Sequence, residues 1–164
     1  MPSGRKGDAP PFGAWRPTAR SRFSAAALVD THIWVWYLDG VADAMSAAAL
    51  ALLRRSVRTT GLLVSDMSIW ELGTKSAKGK LTLAPSVADW LARAEAQSGF
   101  AFLPLTRPTL LASTQLPGPI HGDPVDRLLV AQAASAAIPL VTADRLIIEY
   151  ADHTRTLSVC DARR

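Results

Sequence analysis

The sequence is poor in thiols. Cys160 is its only cysteine, which excludes an internal disulfide and a Cys-rich zinc site and suits a reducing cytoplasm. Long apolar stretches are also missing. The longest run, Ala47 to Leu53, is far short of the ~20 residues that a helical membrane span needs, so no membrane association is expected. The body of the chain carries no excess charge either. The net charge is +4 and the pI about 9.7. However, Arg5, Lys6, Arg16, Arg20 and Arg22 against Asp8 account for the whole excess within residues 1–27. Overall basicity therefore carries no argument for nucleic-acid binding. Hydrophobic residues make up 49% of the chain and charged residues 20%, a globular composition. A length of 164 residues suits one compact domain.

Residues 1–24 hold Pro2, Pro10, Pro11, Pro17, Gly4, Gly7 and Gly13 with no sustained period. They read as a flexible basic arm, either an electrostatic tether to RNA or a dispensable tail. Residues 25–164 then form the folded domain. Ala25–Val29 is too short an apolar stretch for a secretory signal and reads as a buried strand. His32–Leu38 is rich in large apolar residues and precedes the turn signal Asp39-Gly40; helical patterns cover Met45–Arg55, Met67–Ser76, Val87–Gln97 and Pro108–Thr114, and a long Ala-rich helix runs from Asp123-Pro124 to Ala137. Apolar strands fall at 61–65, 100–105 and 139–142. A helical stretch follows Asp144, and Thr156–Cys160 reads as a final edge strand. Continuous apolar strands separated by helices predict an α/β fold: a mostly parallel sheet of four or five strands, covered by helices on both faces.

In such sheets ligands bind beyond the carboxyl ends of the strands. Asp30 directly follows the first strand, and Glu71 lies one and a half turns into the helix after the second. Asp144 follows the fourth strand, and Asp126 sits in the first turn of the helix leading into it. Four acids from distant parts of the chain can thus meet at one edge. Close carboxylates repel, so a positive partner is expected. Mg²⁺ or Mn²⁺ suits oxygen ligands, and the paucity of nitrogen and thiol donors argues against zinc. Such ions can activate water and neutralise charge on a phosphoryl oxygen. Hydrolysis of a phosphodiester is the chemistry this suggests. Each acid also has a plainer use. Asp30 can open a turn, and Glu71 has capping-box spacing from Ser68. Asp126 can complement a helix dipole, and Asp144 can cap a helix. Asp123, before Pro124, suits an N-cap. Their joint placement favours the site.

At these residues the chain resembles PIN-domain proteins, most of all the VapC toxins of bacterial toxin–antitoxin pairs. The blocks that carry the likeness are Leu28-Val29-Asp30-Thr31-His32-Ile33-Trp34-Val35-Trp36, Val64-Ser65-Asp66-Met67-Ser68-Ile69-Trp70-Glu71-Leu72 with Lys75 and Gly79-Lys80-Leu81 downstream, His121-Gly122-Asp123-Pro124-Val125-Asp126-Arg127-Leu128-Leu129-Val130-Ala131-Gln132-Ala133 and Leu140-Val141-Thr142-Ala143-Asp144. They occur in the family's order across residues 26–160. The resemblance implies a PIN-like three-layer sandwich and a Mg²⁺- or Mn²⁺-dependent ribonuclease acting on structured RNA, tRNA or rRNA. It further implies a VapB-type antitoxin and a homodimer. Asp30, Glu71, Asp126 and Asp144 become the catalytic, metal-holding quartet, with Asp30 and Asp126 as direct ligands and Asp144 and Glu71 partly acting through water. Asp126 matches the family helix better than Asp123. The basic arm, Gly122 and Val125 depart from the family pattern without touching the acids.

Thr31, Ser65 and Thr142 place hydroxyls near the strand ends, where they can orient water or carboxylates or serve turns. Lys75 and Arg127 can contact phosphate, although Lys75 is also spaced for an ion pair with Glu71. His32 and His121 read as structural. Trp34, Trp36, Trp70 and Trp90 fall in apolar helical stretches and read as core or interface. The alternative to the nuclease is a catalytically silent PIN-fold module that binds RNA. A receiver-like phosphoacceptor would need paired acids after the first strand and a late lysine. A haloacid-dehalogenase-type phosphatase would need an acid where His32 stands. Neither pattern is met.

Overall fold

The computed structural model describes residues 26–163; the arm read at residues 1–24 lies outside them. Short apolar runs bounded by turn residues form the parallel strands, the three central ones fully buried and the two at the edges only partly. They form β1 (Ala27–Val29), β2 (Leu62–Ser65), β3 (Phe100–Leu103), β4 (Leu140–Thr142) and β5 (Val159–Asp161). Between them lie α1 (Thr31–Leu38), α2 (Ala47–Thr59), α3 (Asp66–Ala77), α4 (Val87–Ala96), α5 (Arg107–Thr114), α6 (Pro124–Ala136) and α7 (Arg145–Thr154). The strands form one sheet in the order β3-β2-β1-β4-β5, and every pairing is parallel.

Alternation along the strands divides the core in two. Ala27, Val29, Leu62, Val64 and Val141 face one layer, with Ile33 and Trp34 of α1, Leu53 of α2 and Trp90 of α4. Leu28, Leu63 and Leu140 face the other, with Leu129 and Ala133 of α6 and Ile147 and Tyr150 of α7. The architecture is the expected three-layer sandwich. Helix α3 contributes Leu72 to the first layer and Met67 to the second, so it serves both layers while carrying Glu71. Trp34 and Trp90 are buried and meet edge to face at 4.8 Å between centroids, a favourable quadrupole geometry. Trp70 is not core: it is 56% exposed.

Caps explain where the element boundaries differ from the sequence reading. Ser46 accepts from Ala49 N, so α2 starts at Ala47 rather than Met45. Ser65 accepts from Met67 N, so α3 starts at Asp66 and Ser68 lies inside the helix. The final strand sits at 159–161 instead of 156–160. Its register pairs Asp161 with Thr142, and Leu157 is buried ahead of it.

At the edge of the sheet opposite the acids, two glycines make a close crossing. Leu62 N donates to Gly99 O at 2.8 Å. Gly99 has φ +89°, and a Cβ there would stand 2.6 Å from Val57 Cγ1 and 2.7 Å from Val57 O. Both the backbone conformation and the space demand glycine. Gly99→Ala should lower stability by about 1–3 kcal/mol, measured as a shift in the urea midpoint at unchanged slope.

Candidate active site

The strand order reverses between β1 and β4, so the connections leave these neighbours in opposite directions and open a crevice at their carboxyl ends. Asp30 N donates to Val141 O at 3.0 Å and extends the β1–β4 ladder to the acid itself. Asp30 stands at the N-cap position of α1, but its side chain caps nothing. It is 4% exposed. Thr142 Oγ1 donates to Asp30 Oδ2 at 2.5 Å, and His32 Nδ1 lies 3.3 Å from Asp30 Oδ1. Burial alone would raise the Asp30 pKa. Hydrogen bonds from His32, Thr142 and the Thr31 backbone outweigh it and hold the carboxyl below the usual value. Burial would likewise lower the His32 pKa, but its bond and attraction to Asp30 raise it. His32 Nε2 also accepts from Ala143 N at 3.4 Å. The imidazole therefore links the ends of β1 and β4.

Thr142 joins two acids. Its Oγ1 accepts from Asp144 N at 2.9 Å while donating to Asp30. Asp144 Oδ1 caps α7 by accepting from Leu146 N and Ile147 N, at 2.7 and 3.1 Å. The capping use and the site position coexist, because the cap engages one oxygen and leaves Oδ2 available.

Asp123 and Asp126 divide their roles. Asp123 Oδ1 accepts from Val125 N at 2.8 Å and caps α6. Asp126 lies one turn on, and its Oδ2 is 3.1 Å from His121 Nε2. No hydrogen bond forms between them, and that buried ring nitrogen has no other partner among the described residues. The Asp126 carboxyl is pushed up to about 7 by burial first, and then by the charges of Asp30, Asp123, Asp144 and Glu71. Acids far apart in the chain thus act on one another across the crevice.

Glu71 does not form the capping box that its spacing from Ser68 allowed. Ser65 takes the cap, and Ser68 Oγ instead accepts from Thr31 Oγ1 at 3.0 Å. Glu71 Oε1 pairs with Lys75 Nζ at 2.5 Å, while Oε2 is buried without a partner. Burial disfavours the Lys75 ammonium. Its bond to Glu71 and the charges of Glu71, Asp30 and Asp126 nevertheless hold its pKa above the ordinary lysine value.

A divalent cation fits this donor set. The Glu71 Oε2 atom is an orphaned buried acceptor, and the repelling carboxylates offer hard oxygen ligands. Ligand atoms of His121, Asp126 and Asp144 lie within 4.8 Å of one another. His121 was not anticipated at the site. Its only sequence signal is a place two residues before the α6 cap. Of the three hydroxyls expected around the acids, only the Thr142 side chain touches them. Thr31 reaches Asp30 through its backbone, and Ser65 is used by the α3 cap. Arg127 Nε donates to Ser113 O at 3.0 Å, which ties the start of α6 to α5. Lys75 is bound to Glu71, and its side chain is 45% exposed.

The PIN domain family matches residues 27–153. The chain belongs to the PIN-domain family. This PIN domain is 30% identical over 133 residues to Ribonuclease VapC22 of Mycobacterium tuberculosis, covering 80% of this chain and 96% of that one. That relative makes it a VapC-type member. Its fold is shared with VapBC2 of Rickettsia felis, solved bound to a promoter DNA fragment, at TM-score 0.59 and 14% identity; the match covers 84% of this chain and 98% of that one. FitAcB of Neisseria gonorrhoeae matches at TM-score 0.56 and 17% identity over 82% of this chain and 96% of that one. VapBC-5 of Mycobacterium tuberculosis matches at 0.52 and 17%, over 84% and 98%.

The crowded acids imply a pH dependence of folding stability for this PIN domain. The raised Asp126 pKa favours the folded state below the ordinary value of 3.8, and that contribution is lost as the pH rises toward about 7. The raised His32 pKa acts in the same direction above 6.5. In EDTA, the melting temperature should therefore fall between pH 5 and 8. Asp126→Asn should flatten the decline, and saturating Mg²⁺ should do the same by neutralising the pocket. Thermal denaturation across that pH range measures it; a rise in melting temperature with pH would contradict the assigned coupling.

Proposed function

We propose that this VapC-type PIN domain is a Mg²⁺- or Mn²⁺-dependent ribonuclease toxin that hydrolyses phosphodiester bonds in structured RNA, tRNA or rRNA. The observation that carries the reading is the crowding of acids at one crevice: ligand atoms of Asp126, Asp144 and His121 lie within 4.8 Å of one another, and burial first, then the charges of Asp30, Asp123, Asp144 and Glu71, push the Asp126 carboxyl up to about 7. A partly buried pocket of carboxylates is suited to a divalent cation. The name of its relative, Ribonuclease VapC22, supports the same activity.

Asp30, Asp126, Asp144 and Glu71 are the residues that would hold the ion. When bound, it supplies positive charge for the developing negative charge on a phosphoryl oxygen. The protein supplies alignment. Thr142 fixes Asp30 and the Asp144 backbone with a single hydroxyl. Because Asp30 is buried and tied to both His32 and Thr142, its carboxylate is oriented before any substrate arrives. Lys75 and Arg127 are the cations that this reading assigns to RNA phosphates, where they supply affinity rather than sequence choice.

The reading includes a VapB-type antitoxin and a second copy of the chain as partners in the cytoplasm. Solved VapBC assemblies with this fold support the antitoxin. Leu110 and Leu111 are exposed on α5, and Leu111 lines an apolar groove of about 550 Å³ between α5 and α6, which suits a protein partner. No described helix is long and apolar enough to cross a membrane.

The test is cleavage of total RNA by purified protein. With Mg²⁺ or Mn²⁺, discrete fragments should accumulate. EDTA, Asp30→Asn or Asp126→Asn should each reduce the rate at least ~100-fold, the scale for losing an aligned electrostatic group. Equal cleavage in all conditions would reject the metal-dependent mechanism. RNA binding without turnover in every metal would favour the catalytically silent module.

A further inference from the structure

We propose that Lys75 is a positioning residue for the acidic pocket: it clamps one oxygen of Glu71 and so turns the other oxygen toward the cation. The inference rests on the metal-dependent reading above and assigns Lys75 a role beyond phosphate contact.

The two residues are one turn apart on α3, and Nζ sits on Oε1 at 2.5 Å. An exposed i,i+4 pair of this kind is usually loose, because water serves either partner equally well. Here the partners differ. The Glu71 side chain is only 15% exposed, and its Oε2 is buried with no hydrogen-bond partner among the described residues. A buried carboxylate oxygen without a donor is costly unless something else satisfies it. Lys75 holds Oε1 and leaves Oε2 without a donor, so its bond to Oε1 sets where Oε2 points. Asp30 and Asp126 also act on the Lys75 ammonium, which places the clamp on the pocket side of α3. Such an outer partner fixes the direction of a ligand that would otherwise rotate freely. The charge of Lys75 has an opposing effect, since it repels a divalent ion. The relative weight of alignment and repulsion is what substitution can read.

Mn²⁺ affinity measured by electron paramagnetic resonance, with no RNA present, separates the two effects. Lys75→Met removes donor and charge, and binding should weaken about tenfold, the usual scale for losing an outer partner. Lys75→Gln keeps a donor without charge and should stay within about threefold of the unsubstituted protein. Lys75→Arg should behave like lysine. In a Glu71→Gln background, Lys75→Met should no longer weaken binding, because only the repulsion is left to remove. Melting curves in EDTA confirm that each variant is folded. Binding as tight or tighter in both Lys75→Met and Lys75→Gln would overturn the proposal, because repulsion would then outweigh alignment. An undiminished Lys75→Met effect in Glu71→Gln would also overturn it. Absence of Mn²⁺ binding by the unsubstituted protein would be a different failure, one that removes the metal-dependent reading together with this proposal.

Discussion

A carboxylate buried at the end of the central strand must be held by donors, and the Thr142–Asp30 hydrogen bond meets that requirement across β1 and β4. Much of the site depends on this contact. The same hydroxyl receives the Asp144 backbone N–H, so one threonine sets the spacing between two acids. The strand order makes the contact available. β1 and β4 are neighbours only because the chain winds outward in one direction through β2 and β3 and then returns to the other side of β1. The crevice between their ends is where a doubly wound sheet leaves room for a ligand.

Around that crevice the four acids are held in four different ways. Asp30 has a hydroxyl and an imidazole; Asp144 has the backbone amides at a helix start. Glu71 has an ammonium on one oxygen, and Asp126 has a histidine nearby without a hydrogen bond. Burial and the neighbouring charges push the Asp126 carboxyl up to about 7, while the hydrogen bonds to Asp30 hold its carboxyl below the usual value. The least supported acid is the one that a cation would change most. A pocket built in this way combines a rigid floor with one member whose charge depends on what enters.

The positions of Asp30, Asp144 and Asp126 at one end of the sheet were legible in the sequence, because the first two follow strands and the third stands in the first turn of α6, whereas Glu71 lies inside α3. The proline after Asp123 signals a cap in the sequence, and Val125 N–H donates to the Asp123 side chain as that use requires. Glu71 had a competing use as a capping partner of Ser68. That use failed because Ser65, three residues earlier, takes the helix start. Local spacing does not show which of two serines will cap. The histidines were hidden for a different reason. His32 and His121 reach the acids through side-chain direction and loop path, neither of which has a periodic signature. Trp70 stands among apolar residues in the sequence yet faces outward, because the buried side of α3 is occupied by Ser68 and Leu72. The final strand was displaced by the burial of Leu157 in the connection ahead of it.

The central claim is that these acids form one cation-holding pocket. A crystal structure of the protein grown with Mn²⁺, with anomalous scattering recorded at the manganese edge, tests it most directly. The account predicts a strong peak between the carboxylates of Asp30, Asp126 and Asp144, with Glu71 Oε2 turned toward it. Full occupancy of Mn²⁺ elsewhere on the molecule, with this crevice empty, would contradict it.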